Sequence, residues 1–284
     1  GPYVQEFERC VERLLGVRHC IAVSSGTVGL EIAARAAGLS GEVIVPALTF
    51  IATPNALRWQ GLQPVFCDVD AESHTIDPQQ VAALITPRTS GILGVHLWGR
   101  ICDVKVLERI ARRHRLRLLY DAAHAFACSH RGMMVGNFGD AEVFSFHATK
   151  FINTLEGGAV VTNDDDLAHR ARAMRNFGLT TGEVTAGVGI NGKMNEVSAA
   201  MGLTLLEGLD GLMALNRRNY RAYRRELHHL PGINLISYDV AERCNYQYVV
   251  LEIEQVEAGI GRDELLEALR LENILARRYF YPGC

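Results

Sequence analysis

Between residues 19 and 162 the chain repeats one pattern: a short apolar run, a polar turn, then a stretch with helical spacing. The apolar runs fall at 19–23, 43–45, 64–67, 92–95, 117–120, 141–146 and 159–162, and helical spacing marks 28–37, 51–59, 78–84 and 104–114. Runs this short, closed by Gly, Pro or Asp, read as buried strands. Parallel strands need a crossover connection, and a helix is its usual form. The alternation therefore predicts an α/β fold in three layers, with a seven-stranded, mostly parallel sheet between helices. In such sheets functional residues gather in loops at the carboxyl ends of the strands.

The flanks are less regular. Pro2, Phe7, Val11, Leu14 and Leu15 have the spacing of an opening amphipathic helix. Residues 167–176 read as a helix, and 178–192 as a Gly- and Thr-rich loop whose length usually marks function. Residues 195–230 read as helical, broken near 208–211 and strongly basic over 216–226. Pro231-Gly232 opens a smaller α+β section, with a strand near 248–253 and a helix over 262–272. We expect a large domain over 1–214 and a small α+β C-terminal domain over 215–284, incomplete where the chain stops at Tyr281-Pro282-Gly283-Cys284.

Bulk properties narrow the partners. With 48% hydrophobic and 21% charged residues, the 284-residue chain has ample material for a core. A formal net charge of −3 offers nothing to a nucleic acid. No apolar run reaches membrane-spanning length. The seven cysteines are scattered, without a C-x-x-C pair, which suits a reducing compartment better than a disulfide or zinc framework. The expectation is a soluble cytoplasmic protein with no nucleic-acid or membrane partner.

Four strand ends carry chemistry. Lys150 stands in a polar turn between two core strands, among Ser145, His147, Gly157 and Gly158. A lysine held in a cleft there would be desolvated into a nucleophile toward carbonyls, whereas the competing reading is a surface lysine on a hairpin. Ser25-Gly26-Thr27 opens a helix, where free N–H groups and the helix dipole suit a phosphate, although the same triplet also makes an ordinary N-cap. Phe50 could lie flat on an aromatic ligand or belong to the core. Asp121 ends an apolar strand beside small alanines, with His124 three residues on; a turn-capping Asp is the competing reading. A metal set of His124, Cys128 and His130 matches no common zinc spacing, so no metal is expected. Phosphate seat, stacking aromatic, strand-end aspartate and cleft lysine are together the parts for pyridoxal 5'-phosphate.

These residues lie in stretches that resemble the DegT/StrS-type nucleotide-sugar aminotransferases, fold-type I pyridoxal-phosphate enzymes with an aspartate-aminotransferase-like fold. The matching stretches include Val23-Ser-Ser-Gly-Thr27, Val45-Pro-Ala-Leu-Thr-Phe-Ile-Ala-Thr53 and Val95-His-Leu-Trp-Gly-Arg100. They continue with Asp121-Ala-Ala-His-Ala125, Phe144-Ser-Phe-His-Ala-Thr-Lys150, Glu156-Gly-Gly-Ala-Val-Val-Thr-Asn163, Arg175-Asn-Phe-Gly178 and Gly192-Lys-Met-Asn-Glu196. The resemblance implies that Lys150 forms the Schiff base with the cofactor and Asp121 pairs with its pyridinium nitrogen. It puts His124 near the ring hydroxyl, Phe50 on the ring face, and Gly26, Thr27 and Ser145 at the phosphate. It implies that Asn195 reaches the phosphate seat of the partner subunit, in a homodimer with shared active sites. Family members run longer at both ends, so substrate residues there are not expected in these 284 residues.

The implied reaction is transamination from L-glutamate to a nucleotide-linked keto-deoxysugar. A sister branch that dehydrates sugars carries His in place of the lysine, so Lys150 points to amino transfer. The stretches at 95–100 and 192–196 resemble members acting at the 4-position of dTDP-4-keto-6-deoxyhexoses. A 3-keto-sugar aminotransferase is the alternative within the family, and a non-catalytic cofactor-binding regulator the alternative outside it.

Overall fold

A computed structural model describes residues 1–180, 184–185 and 187–284. The elements run α1 Pro2–Leu15, β1 His19–Val23, α2 Gly26–Ala36, β2 Glu42–Pro46, α3 Ala52–Trp59, β3 Gln63–Cys67, α4 Pro78–Leu84 and β4 Thr89–Val95. They continue with α5 Val104–His114, β5 Arg117–Asp121, a hairpin of β6 Ser129–His130 and β7 Met133–Met134, β8 Ala141–Ser145, β9 Gly158–Thr162 and α6 Asp165–Arg175. The last are α7 Glu196–Glu207, α8 Leu209–Leu227, β10 Ile233–Leu235, β11 Leu251–Ile253, α9 Gln255–Ala258 and α10 Arg262–Leu271.

The large sheet has seven strands in the order β1-β9-β8-β5-β4-β2-β3. All are parallel except β9, which runs antiparallel to both of its neighbours. The expected architecture is what the chain adopts.

Burial on both faces explains the unbroken apolar runs. Ile21, Val43, Val45, Leu93, Leu119, Val143 and Val160 point one way, against Leu30 and Ile32 of α2, Leu57 of α3 and Leu167 of α6. Cys20, Ile44, Ile92, Leu118, Phe144 and Val161 point the other way, against Phe7 and Val11 of α1, Val81 of α4 and Leu107 of α5. Slipping any strand by one residue would swap these two sets, so packing fixes the register.

The flanking regions keep the expected break in the long helical stretch and shorten the late strand. The helical stretch 195–230 is two helices bent by 66° at their break, with Gly208 closing α7. The strand near 248–253 forms only at Leu251–Ile253, paired with β10, which the sequence reading missed. Upstream of it one more backbone bond, Ile236 N–H to Val250 O at 3.1 Å, gives way to side chains: Tyr238 Oη lies 3.0 Å from Tyr248 O, and Asn216 Nδ2 donates to Asn245 O at 3.0 Å. The long loop at 178–192 includes 181–183 and 186, which lie outside the described residues. Its described part is tied back by an Asn176–Asn191 bridge and by Gly192 N–H donating to Arg175 O at 2.9 Å. The boundary expected at 214/215 falls within α8. Among the described residues no single helix is long and apolar enough to cross a membrane.

Candidate active site

The carboxyl ends of β1, β2, β5 and β8 open into one cavity of about 1100 Å³. Gly26, Thr27, Phe50, Asp121, His124, Ser145 and Lys150 all line it, so every sequence-predicted residue except Asn195 meets there.

Lys150 follows β8 in the turn that returns to β9. Burial drives its amine down to about 8, against the pull of the Asp121 carboxylate, which favours the charged form. Its Nζ donates to Tyr248 Oη at 3.3 Å. This is a cleft lysine and not a surface one.

Asp121 ends β5 and is buried. Burial pushes its carboxyl up, while the Thr53 hydroxyl, the Ala123 N–H and the charge of Lys150 draw it back. Thr53 Oγ1 donates to Oδ2 at 2.8 Å, and Ala123 N–H to Oδ1 at 3.1 Å. Thr53 in turn shares a hydrogen bond of 2.8 Å with Thr49. Thr53 lies in a stretch singled out from sequence, yet no role was read for it there.

His124 is buried, and its imidazole is held well below its ordinary range, first by burial and then by the charge of Lys150. It is therefore neutral. Nδ1 accepts the Trp98 N–H at 3.2 Å, which leaves the proton on Nε2. Trp98 is itself buried with φ 56°, a left-handed conformation costly for a bulky residue. The His124 ring packs on Tyr248, centroids 4.4 Å apart. Cys128 and His130 do not join it, and among the described residues no metal-like cluster forms.

Gly26 and Thr27 begin α2. Ser25 caps the helix, its Oγ accepting the Val28 N–H at 3.2 Å while its carbonyl accepts Gly29 N–H at 3.0 Å. Among the described residues nothing in the chain takes the N–H groups of Gly26 and Thr27, so two helix-end donors face the cavity side. Close approach requires glycine here: a Cβ on Gly26 would sit 2.9 Å from Ser145 Cβ, and one on Gly158 2.7 Å from Gly26 N.

Phe50 is 57% exposed and lies against Phe280 at 6.2 Å, which makes it a cavity wall and not core. His147 stays at the rim, its Nδ1 2.9 Å from Thr149 Oγ1 and its Nε2 3.4 Å from Glu156. Asn195 is exposed outside the cavity, where its Oδ1 accepts the Ser198 N–H at 2.8 Å and caps α7. Sequence reasoning missed Tyr248 and Gln247, which reach the cavity from the C-terminal part of the chain. No local signal marks them.

Comparisons with known proteins identify the family of the chain. Residues 1–284 match the description of the DegT/DnrJ/EryC1/StrS aminotransferase family. The chain is 38% identical over 282 residues to a dTDP-4-amino-4,6-dideoxy-D-glucose transaminase of Shigella dysenteriae, covering 99% of this chain and 77% of that protein. It is 37% identical over 287 residues to a GDP-perosamine synthase of Caulobacter vibrioides, with 99% and 77% covered. Among solved structures it superposes on DesI in the presence of its TDP-sugar product with a TM-score of 0.96 and 52% identity, covering all of this chain and 72% of that one.

Proposed function

This chain belongs to the DegT/DnrJ/EryC1/StrS aminotransferase family, the pyridoxal-phosphate-dependent sugar aminotransferases, and we propose that it aminates the 4-position of a dTDP-4-keto-6-deoxyhexose with L-glutamate as donor. One observation carries the reading: a single cavity joins an amine near neutrality, a buried carboxylate and two free helix-end N–H groups. The relative named for dTDP-4-amino-4,6-dideoxy-D-glucose and the structure solved with a TDP-sugar product support the choice of sugar.

The residues present fit pyridoxal 5'-phosphate. Gly26 and Thr27 N–H, with the Ser145 hydroxyl, would hold its phosphate, and Phe50 would flank its ring. Asp121 would face the ring nitrogen and His124 the ring hydroxyl. When bound, the cofactor supplies an aldehyde that condenses with amines and a ring that draws electrons away from the reacting carbon. Lys150 Nζ would hold and move a proton at the reacting carbon, a task suited to a group that titrates at about 8. Thr53 and the Ala123 N–H hold Asp121 in one orientation. Asn195 reaching a partner subunit's phosphate seat would make the working unit a homodimer, and residues 215–284 part of a smaller domain closing on the site.

The deciding experiment offers the cofactor-loaded protein L-glutamate with a dTDP-4-keto-6-deoxyhexose or with its 3-keto counterpart, and identifies the amino sugar. A 4-amino product is expected. A 3-amino product would overturn the position, and a protein that stays yellow in glutamate would overturn amino transfer.

A further inference from the structure

We infer that Tyr248 is a positioning residue for Lys150: its hydroxyl, brought in from the C-terminal part of the chain, docks the lysine amine whenever that amine is free. The inference rests on the amino-transfer reading, in which Lys150 must be released from the cofactor and still act upon it.

A free lysine amine is a poor base unless something holds it. Its four-carbon stem has many rotamers, and a small displacement of the reacting group costs a large share of the rate. Among the described residues the one hydrogen-bond partner of Lys150 Nζ is Tyr248 Oη, at 3.3 Å. Nζ lies 6.0 Å from the centroid of the Tyr248 ring, so it meets the hydroxyl edge and not the π face. Burial pushes the phenol pKa upward, so the hydroxyl keeps its proton across the working range. The phenol oxygen can accept an N–H from the ammonium and from the neutral amine alike. It therefore retains the lysine both before and after Nζ takes up a proton.

The tyrosine is itself tightly held. Asn245 Nδ2 donates to His124 O and to Phe126 O, both at 3.0 Å. Gln247 Nε2 donates to Thr149 O, one residue before Lys150, at 3.1 Å. Tyr238 Oη lies 3.0 Å from both Tyr248 O and Trp98 O and shares its one hydrogen between them. The Tyr248 ring then rests on His124 at 4.4 Å. The segment 245–248 is thus pinned to the strand-end loops that carry His124 and Lys150, and its hydroxyl has a fixed place relative to Nζ.

The test uses Tyr248→Phe, which keeps the ring on His124 and removes only the hydroxyl, with Tyr248→Leu as a second variant lacking the ring. The first readout needs no turnover. It is the rate at which added pyridoxal 5'-phosphate becomes linked to Lys150, a C–N bond forming at the aldehyde carbon as the oxygen leaves as water. This rate should fall on the order of 10-fold in Tyr248→Phe, the effect of losing one hydrogen bond. Binding of pyridoxamine 5'-phosphate, which cannot link, should stay within about 2-fold, since the phosphate seat is untouched. In the loaded enzyme kcat should fall by a similar factor while KM for L-glutamate holds. Tyr248→Leu should lose at least as much linking rate. Wild-type linking and kcat in Tyr248→Phe would overturn the role, as would an equal loss of pyridoxamine 5'-phosphate binding. A wild-type protein that links the cofactor faster than Tyr248→Phe but aminates no sugar would overturn the proposed substrate and leave Tyr248 standing.

Discussion

Thr53 donates its hydroxyl hydrogen to Asp121 Oδ2 at 2.8 Å, so the carboxylate at the end of β5 is aimed by a residue of α3. Thr53 is fully buried and passes the interaction back to Thr49, 2% exposed, at 2.8 Å. One oxygen of the carboxylate is therefore fixed by a short chain of hydroxyls.

Replacing Thr53 by Val removes that bond without much change of volume. Burial already raises the Asp121 pKa and the Thr53 hydroxyl opposes it, so the variant's carboxyl should rise further. An aspartate that protonates more readily loses its charge at higher pH. The acid limb of the kcat profile should move upward, with kcat at neutral pH falling on the order of 10-fold. An unmoved acid limb would show that Thr53 does not govern Asp121.

The Lys150 amine is the group whose neutral form attacks, and burial brings it to about 8. The neutral fraction grows as pH rises through that value and saturates above it. Cofactor linkage to the protein should be half-maximal near pH 8 and level off above it, and Lys150→Ala should show none at any pH. Rapid-mixing absorbance reads both. A rate still climbing at pH 10, near the pKa of an exposed lysine, would mean that the cleft does not tune this amine.

Glycine at 158 is required by approach rather than by torsion. A Cβ there would stand 2.7 Å from Gly26 N and from the Ser25 carbonyl, the backbone of the proposed phosphate seat. Gly158→Ala must push that turn away from β9. Overpacking of this kind costs about 1–3 kcal/mol, and here it falls on the cofactor. Pyridoxal 5'-phosphate affinity should drop roughly 10-fold or more, with activity recovering at high cofactor. Equilibrium titration of the apoprotein checks it.

What the sequence disclosed follows from where the information lies. Residues 43–45 and 159–162 were legible as strands because both faces are buried, leaving an unbroken apolar run between Gly and Pro signals. Ile233–Leu235 was not, being three residues long and only half buried. Lys150, Asp121 and Gly26 could be found because each ends or follows such a strand. Tyr248 could not: its bond to Lys150 spans 98 residues, and nothing near it in sequence sets it apart. Thr53 lay between these cases, inside a stretch of interest but with its partner 68 residues away.

His96 and Glu142 form a wholly buried pair under the site, Nε2 to Oε2 3.2 Å, with His96 stacked on Tyr120 at 4.5 Å. His96 Nδ1 accepts the Cys102 N–H at 3.3 Å, so the imidazole is neutral and its proton sits on Nε2, toward the carboxylate. Glu142→Gln keeps an oxygen for the Gly136 and Phe138 N–H groups, each 2.7 Å away, but removes the charge that these donors and the imidazole face. It should cost about 1–3 kcal/mol of stability, read by denaturant unfolding, and an unchanged midpoint would show that the buried carboxylate does not stabilise the fold.

Asn195 separates a one-chain site from a shared one. Within the chain it caps α7, so Asn195→Ala should cost on the order of 1 kcal/mol and leave the cofactor alone if capping is its whole role. The setting argues for more. The segment leading to it runs beside the proposed phosphate seat, with Ser24 N–H donating to Gly192 O at 2.8 Å and Val23 bridging Lys193. If each subunit lends Asn195 to the other, association and cofactor binding stabilise one another. Dilution should release the cofactor from the wild-type protein, and Asn195→Ala should release it at higher protein concentration. Sedimentation with cofactor absorbance follows both at once. A monomer that keeps its cofactor at micromolar concentration would show that the site is complete in one chain.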